Sequence, residues 1–229
     1  MSARIAVAPD ALRDTLRRLL QVWCEFESAL HAVPIVAKLE RGRLRIEDYR
    51  RLLVNLRQQV VDGSRWIARA GSNIGPEHEA LRSMFLRHAV AEHQDYLMLE
   101  RDFVACGGDL AEIRSAPKNI GSEAFSAWMF QAASQPNPLA LMGAMSIIEG
   151  LGARVAGEWA RLIQEQLGVG DEAVSFLRHH GTADPTHMKA FEDALALALQ
   201  AGTSADQIVR SARIVARLYR LQLEEIDHV

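Results

Sequence analysis

The chain has 229 residues, of which 49% are apolar and 24% are charged, and its formal net charge at pH 7 is −3. A chain of this length can bury one substantial core, and this composition is that of a folded globular protein and excludes a disordered or fibrous one. The small negative charge argues against nucleic acids and anionic membranes as partners, because both attract basic proteins. We therefore expect one domain spanning residues 1–229.

The two cysteines, Cys24 and Cys106, form neither a metal-binding spacing nor a disulfide framework, which favours a reducing compartment. The N-terminus lacks a charged segment followed by an apolar one, the mark of a secretory signal. The longest uncharged apolar run, near residues 136–148, is too short to span a bilayer. We expect a cytoplasmic protein without a membrane partner.

Helical periodicity dominates the first third of the chain. Apolar residues recur at intervals of three and four from Asp10, a predicted N-cap, to near His31. The same pattern predicts a short helix from Pro34 to Leu39 and a long one over residues 47–70. Alternating apolar and polar runs, which would indicate strands, are absent from the whole sequence. The predicted fold class is therefore all-α.

The next predicted helix, over residues 77–105, carries the first polar stripe. His88, Glu92 and Asp95 occupy positions i, i+4 and i+7 of this helix. Since helical residues advance by about 100° each, these three side chains are expected on one face. A short helix and a loop are predicted for residues 109–120, and Ser122 is the predicted cap of a helix that ends near residue 133.

A single carboxylate, Glu149, ends the apolar run of residues 139–148 on a helix predicted to reach Leu167. A charge there is costly unless it is paired or bound to a metal ion. Glu149 is therefore a candidate ligand or a buried partner of Arg154. The same helix contains Gly143, Gly150, Gly152 and Gly157. Because glycine weakens a helix, these residues predict close packing of a neighbouring helix or open space beside the carboxylate.

A second polar stripe lies on the helix predicted from Asp171. His180, Asp184 and His187 again occupy positions i, i+4 and i+7. Pro185 lies between the two histidines and is expected to bend the helix, since proline removes one backbone hydrogen bond. A last amphipathic helix, over residues 204–225, completes the predicted bundle.

Together, the polar stripes and Glu149 form a candidate metal site. Two histidines and four carboxylates, with a further histidine beside them, come from three predicted helices: His88, Glu92, Asp95, Glu149, His180, Asp184 and His187. Such a set can hold two iron or manganese ions in the core of a helical bundle. The carboxylates offset the charge of two divalent cations, which neutral histidines alone would not do.

These motifs resemble a known group of proteins. The motif His180-x3-Asp184-x2-His187, together with Glu149-Gly and the His88 stripe, resembles the heme-oxygenase-like di-iron oxidase and oxygenase superfamily. The segment over residues 26–49 is also similar to the wider heme-oxygenase-like fold, which includes thiaminase II and pyrroloquinoline-quinone synthase. The resemblance covers about residues 10–225 and implies a single-domain bundle of seven to eight helices.

The resemblance also implies a chemistry. Members of this superfamily bind two iron ions on three core helices and activate O2 to oxidise a small molecule; manganese is the other metal considered. The implied catalytic residues are Glu92, Glu149, His180, Asp184 and His187, and the implied metal ligands are these five with His88 and Asp95. Many members have a histidine where this chain has Asp95, so ligation by the first core helix departs from the common pattern. A homodimer is expected, because such bundles commonly pair.

Two other functions stay open on the sequence. One is a metal-free enzyme of the thiaminase II or pyrroloquinoline-quinone synthase type; thiaminase chemistry needs a positioned cysteine nucleophile, and neither Cys24 nor Cys106 is expected beside Glu149. The other is a helical binding protein without catalysis. A heme protein would use His31 as its axial ligand, but residues 151–157 do not resemble the glycine-containing helix that covers heme in heme oxygenases.

Overall fold

The computed structural model describes residues 9–182 and 185–228, and of residues 9, 185–188 and 228 it describes the backbone alone. The α-helices in this part of the chain are α1 (Pro9–Leu30), α2 (Pro34–Glu40), α3 (Ile46–Asn73), α4 (Glu79–Glu92), α5 (Tyr96–Ala105), α6 (Leu110–Ser115), α7 (Ile120–Ala133), α8 (Leu141–Leu151), α9 (Gly157–Leu167), α10 (Ser175–His180), α11 (Pro185–Gln200) and α12 (Ala205–Glu224). A π-helical segment, Gly152–Ala156, joins α8 to α9 without a break.

The described residues contain no β-strand. If the continuous run from α8 to α9 counts as one helix, eight helices in the described part of the chain have ten residues or more. The predicted all-α fold and the predicted number of helices are therefore confirmed. Every helix within the described ranges is too short or too polar to cross a membrane.

Two long helices, α3 and α12, organise the core. Helix α3 packs against α4, α5 and α7, while α12 packs against α1, α7 and α8. The buried face of α1 follows the predicted spacing and contributes five side chains: Leu19, Val22, Trp23, Phe26 and Leu30. Burial of such apolar side chains stabilises the bundle by about 1.5–3 kcal/mol each.

The helix starts differ from the predicted caps at two positions. Helix α1 begins at Pro9, so Asp10 lies in the first turn and is not the N-cap; a proline at the first helical position loses no hydrogen bond. The cap of α7 is Asn119, whose Oδ1 accepts a hydrogen bond from the backbone N–H of Ser122 at 2.7 Å. Helix α12 starts where the sequence predicted, and Ser204 is its N-cap and forms a capping box with Gln207.

The helix predicted over residues 77–105 is wrong as a single element. A short 3-10 turn precedes α4, and residues 93–95 form a turn between α4 and α5. Neither glycine nor proline occurs at residues 93–95, so the sequence carried no local signal for this break. Both helices pack against α3, and such tertiary packing overrides a continuous helical pattern.

The continuous helix predicted from Asp171 past His187 is also wrong. Helix α10 ends at His180, and a new helix, α11, begins at Pro185. The proline does not bend a helix but occupies its first position, where the missing amide is not needed. Since His180 and His187 belong to different helices, the shared-face spacing of the predicted triplet does not apply.

A buried carboxylate links α3 to α7 and to the segment before it. Asp62 on α3 is 4% exposed and accepts hydrogen bonds from Lys118 and, at 2.6 Å, from the Ser126 hydroxyl. Arg65 pairs with its other oxygen at 2.7 Å. Burial would raise the pKa of Asp62, but the bonds from Lys118 and Ser126 and the two positive charges hold it below the ordinary value of 3.8.

We expect Asp62→Asn to lower the free energy of unfolding at pH 7 by about 1–3 kcal/mol, because the partly buried Lys118 loses its anionic partner. A carboxylate with a depressed pKa stabilises the fold above its unfolded pKa, and this contribution disappears as the pH falls through the folded value. The difference between variant and wild type should therefore shrink below about pH 4. Urea unfolding of both proteins at pH 7 and at a series of lower pH values measures this difference in the free energy of unfolding.

The exposed pair between Glu158 and Arg161 provides the control for this prediction. We expect Glu158→Gln to leave stability unchanged at both pH values, since solvent screens such pairs. A difference between Asp62→Asn and wild type that stays constant down to pH 2 would contradict the ionised pair.

Candidate metal centre

The first part of the site joins α4 to α8. The Nε2 atom of His88 lies 3.1 Å from Oε1 of Glu149. The sequence placed Glu149 in the interior, but its side chain is 50% exposed, while that of His88 is 25% exposed. Partial exposure and the histidine contact lower the cost of the charge at the end of an apolar run. The proposed alternative partner, Arg154, places its guanidinium 5.4 Å from the centre of the Trp23 ring.

The second part joins the α4–α5 turn to α10. The Nε2 atom of His180 lies 3.2 Å from Oδ2 of Asp95 and 3.8 Å from Oε2 of Glu92. Asp95 is the most enclosed of these groups, with 11% of its side chain exposed. The turn after α4 therefore lies between Glu92 and Asp95, whose carboxylates both approach the imidazole of His180.

Glu92 belongs to both parts. One ligand atom each from His88, Glu92 and Glu149 lie within 4.8 Å of one another, and the same holds for Glu92, Asp95 and His180. Nitrogen and oxygen atoms at such separations can surround a cation after small side-chain adjustments, since metal–ligand bonds of about 2.0–2.2 Å place adjacent ligands about 3 Å apart. A carboxylate has two oxygens, so Glu92 can contribute to both groups at once.

A backbone carbonyl fixes the orientation of His180. Its Nδ1 atom lies 2.9 Å from the carbonyl oxygen of Phe176, one turn earlier in α10. The Phe176 ring packs against the imidazole with 4.2 Å between ring centres. A hydrogen bond from Nδ1–H to a carbonyl is the usual arrangement that leaves Nε2 available for a metal ion. This role of Phe176 was not predicted from the sequence, although the i, i+4 spacing of the two residues indicates it.

The carboxylates make the site attractive to positive charge. Burial would lower the pKa of both histidines, but Glu149 raises the pKa of His88 above its ordinary value of 6.5. At His180, burial would likewise lower the pKa, but Asp95 and Glu92 raise it to about 10. Burial would raise the pKa of Asp95, but His180 holds it below 3.8. A negative potential of this kind is what a cation site requires.

Glycines bring the helices of the site together. A Cβ atom on Gly152 would lie 3.2 Å from the carbonyl oxygen of His180, and one on Gly181 would lie 2.5 Å from the amide nitrogen of Gly157. These residues allow the end of α10 to approach the backbone of the π-helical segment and α9. At Gly152 and Gly157, the structure shows the close packing of a neighbouring segment that the sequence predicted. Single π-helical turns inside α-helices are frequent at functional sites.

The structure therefore brings five of the seven predicted ligands into two adjoining groups: His88, Glu92, Asp95, Glu149 and His180. Asp184 and the side chain of His187 lie outside the described residues, and their part in the site stays a prediction. The backbone of α11, on which His187 lies, packs against α4 and α8. These are the helices that supply His88 and Glu149.

A sequence profile described as iron-containing redox enzyme matches residues 65–220. The matched span includes every residue of both groups and more than half of the chain. The chain belongs to the iron-containing redox enzyme family. Among curated proteins, no sequence matches this chain.

Solved structures share the fold of this family member. A domain of unknown function with a heme oxygenase-like fold from Shewanella denitrificans aligns with a TM-score of 0.81 at 17% identity, over 93% of this chain and 92% of that chain. A TenA homologue from Pseudomonas syringae pv. tomato aligns with a TM-score of 0.71 at 13% identity, over 94% and 93% of the two chains. A TenA homologue from Pyrococcus furiosus aligns with a TM-score of 0.65 at 13% identity, over 93% and 98%. The predicted heme-oxygenase-like fold is confirmed.

Other residues with a predicted or excluded role lie apart from these groups. His31 is on the surface, where its Nδ1 atom lies 2.6 Å from Oε1 of Glu40, as expected of a polar residue at a helix end. Cys24 is exposed and Cys106 is buried. Burial raises the pKa of the Cys106 thiol to about 11, so this cysteine is held as an unreactive thiol.

Proposed function

We propose that this member of the iron-containing redox enzyme family is an oxidase or oxygenase that holds two iron ions and activates O2 to oxidise a small molecule. The observation that carries the proposal is the position of Glu92, which belongs to two groups of potential metal ligands at once. A shared carboxylate between two such groups is a common device for holding two metal ions close together.

The chemistry of the side chains fits two divalent ions. The described groups offer two imidazole nitrogens, from His88 and His180, and three carboxylates, from Glu92, Asp95 and Glu149. With neutral histidines, their charge offsets most of the charge of two divalent cations. The absence of cysteine from both described groups favours iron or manganese over metals that prefer thiolate. Asp184 and His187 remain proposed ligands that would add a fourth carboxylate and a third imidazole.

Bound iron would supply the redox chemistry that activates O2. The protein's own residues hold the site in position: Phe176 orients His180, and Glu92 connects the two groups. The two ends of the site differ in access, because the Glu149 side chain is half exposed whereas that of Asp95 is 11% exposed. We infer that O2 and the substrate approach from the Glu149 side. A homodimer remains part of this proposal.

We expect wild-type protein loaded with Fe²⁺ under anaerobic conditions to retain two iron ions per chain after desalting, and His180→Ala to retain about one. The reason is that His180 provides the only described imidazole of the more buried group. Elemental analysis measures the iron, and an oxygen electrode measures O2 consumption after air is admitted.

His31 supplies the control, since it is an exposed histidine that belongs to neither group. His31→Ala should retain wild-type iron content. Loading His187→Ala in parallel tests the ligand predicted from the sequence. Wild-type protein that holds neither iron nor manganese would contradict the proposal and favour a metal-free enzyme or a binding protein.

The metal-free thiaminase-type alternative has less support. Thiaminase chemistry needs an activated cysteine, but Cys106 is buried with a raised pKa, and Cys24 lies on the outer surface of α1. The TenA homologues share the fold at 13% identity, which does not transfer an activity. Thiamine cleavage that persists in the presence of a chelator would restore this alternative.

A further inference from the structure

A buried aspartate that belongs to neither group of potential ligands contacts the helix that carries His180. Asp102 on α5 has no exposed surface. Its Oδ1 atom accepts hydrogen bonds from the backbone N–H of Ser175 at 3.1 Å and from the Ser175 hydroxyl at 2.5 Å. Its Oδ2 atom accepts a hydrogen bond from the backbone N–H of Phe176 at 3.0 Å. All of these donors belong to the first turn of α10.

Helix α10 depends on such external contacts. It has six residues, and a helix of this length is not stable in isolation. The first amides of a helix have no partner within the helix, and Asp102 accepts hydrogen bonds from two of them. A negative charge at this end is also favourable because of the helix dipole. The three hydrogen bonds offset the cost of burying the carboxylate.

The contact continues through one peptide unit to the imidazole. The N–H of Phe176 donates to Asp102, and the carbonyl of the same residue lies 2.9 Å from Nδ1 of His180. On its other side, His180 contacts Asp95, which immediately precedes α5. Asp95 and Asp102 are seven residues apart, or about two helical turns. Helix α5 and its N-cap residue therefore contact both sides of the His180 imidazole, directly through Asp95 and by way of Phe176 through Asp102.

We propose that Asp102 is the positioning residue of His180: by fixing the first turn of α10, it sets the direction and reach of Nε2 toward Asp95 and Glu92. The metal-binding part of this inference rests on the proposed function. An acidic residue beside the buried Leu99 and Phe103 was the signal in the sequence, since a charge on an apolar helix face needs a specific partner.

The test compares two isosteric substitutions of buried aspartates in the full chain. Asp102→Asn keeps one acceptor oxygen for Ser175 but presents an amide to the N–H of Phe176. Asp62→Asn removes a buried carboxylate whose described partners lie outside α10. Mn²⁺ affinity is measured from the electron paramagnetic resonance signal of free Mn²⁺. Hydrogen–deuterium exchange of the α10 peptide is measured in metal-free protein, with thermal unfolding for both variants.

We expect Asp102→Asn to weaken Mn²⁺ binding about 10- to 100-fold, the usual cost of losing a residue that orients a ligand, and to lose exchange protection in α10. Asp62→Asn should lower thermal stability but keep wild-type Mn²⁺ affinity and α10 protection. Wild-type affinity in Asp102→Asn, or the same loss in both variants, would overturn the positioning role.

Two further outcomes are decided by the same measurements. If Asp102→Asn does not fold, Ser175→Ala takes its place; it removes only the hydroxyl bond and should weaken Mn²⁺ binding in the same direction, and unchanged affinity would overturn the inference. If wild-type protein binds no metal, the proposed function fails. In that case the hydrogen–deuterium exchange data alone test the role of Asp102. Lost protection of α10 in Asp102→Asn supports that role, and unchanged protection overturns it.

Discussion

Glu92→Ala is expected to lose both iron ions, whereas Glu149→Ala is expected to lose one. The physical reason is that Glu92 is shared by the two groups of potential ligands, while Glu149 belongs to one of them. Without Glu92, one group keeps His88 and Glu149 and the other keeps Asp95 and His180. Two ligands from described residues are too few for a stable site, since protein metal sites of this kind use three or more.

The measurement is iron per chain after anaerobic loading and desalting, together with the rise in melting temperature on addition of Mn²⁺. A ligand at about 100 times its Kd stabilises a protein by about 2.7 kcal/mol, and this gain should vanish in Glu92→Ala. Glu79→Ala is the control, because Glu79 is an exposed carboxylate on the same helix. Equal iron loss in Glu92→Ala and Glu149→Ala would contradict the shared position of Glu92.

Gly181→Ala is expected to weaken metal binding at least about 10-fold through the position of His180. A Cβ atom on Gly181 would lie 2.5 Å from the amide nitrogen and 2.7 Å from the Cα atom of Gly157. Both are backbone atoms, so no side-chain rotation relieves the clash, and the end of α10 must move. Overpacking of this kind also destabilises a fold by about 1–3 kcal/mol.

Gly63→Ala provides the matched control for this prediction. Gly63 is in the interior of α3, and a Cβ atom there would meet nothing within 4 Å. Alanine should stabilise that helix by about 0.5–1 kcal/mol, with unchanged Mn²⁺ affinity. Thermal unfolding and a Mn²⁺ titration of both variants separate the two effects. Wild-type metal affinity in Gly181→Ala would show that α10 need not lie against Gly157 for the site to form.

The helical periodicity of the sequence predicted much of the fold because it depends on neighbouring residues. The apolar spacing in α1 and α3 and the capping box at Ser204 act within a few residues, so they could be recognised without coordinates. The breaks were harder to predict. Nothing at residues 93–95 indicates the end of a helix, and Pro185 fits a bend as well as a start.

The ligand types of the site could also be predicted, but their grouping could not. Spacing within one helix identified His88, Glu92 and Asp95 as a shared polar stripe. This spacing gave no information on which other helix each of the three residues contacts. In the structure, His88 contacts Glu149, whereas Asp95 contacts His180. The assignment depends on how α4, α8 and α10 pack, which is a property of the whole bundle.

The sequence by itself determined that this chain is an α-helical bundle with imidazole and carboxylate side chains on its core helices, because helix periodicity and residue chemistry are local. Only the tertiary structure decided that Glu92 is shared, that Asp102 caps α10, and that Gly157 and Gly181 meet. These contacts join residues far apart in the chain, and their geometry depends on packing distances that no local pattern records.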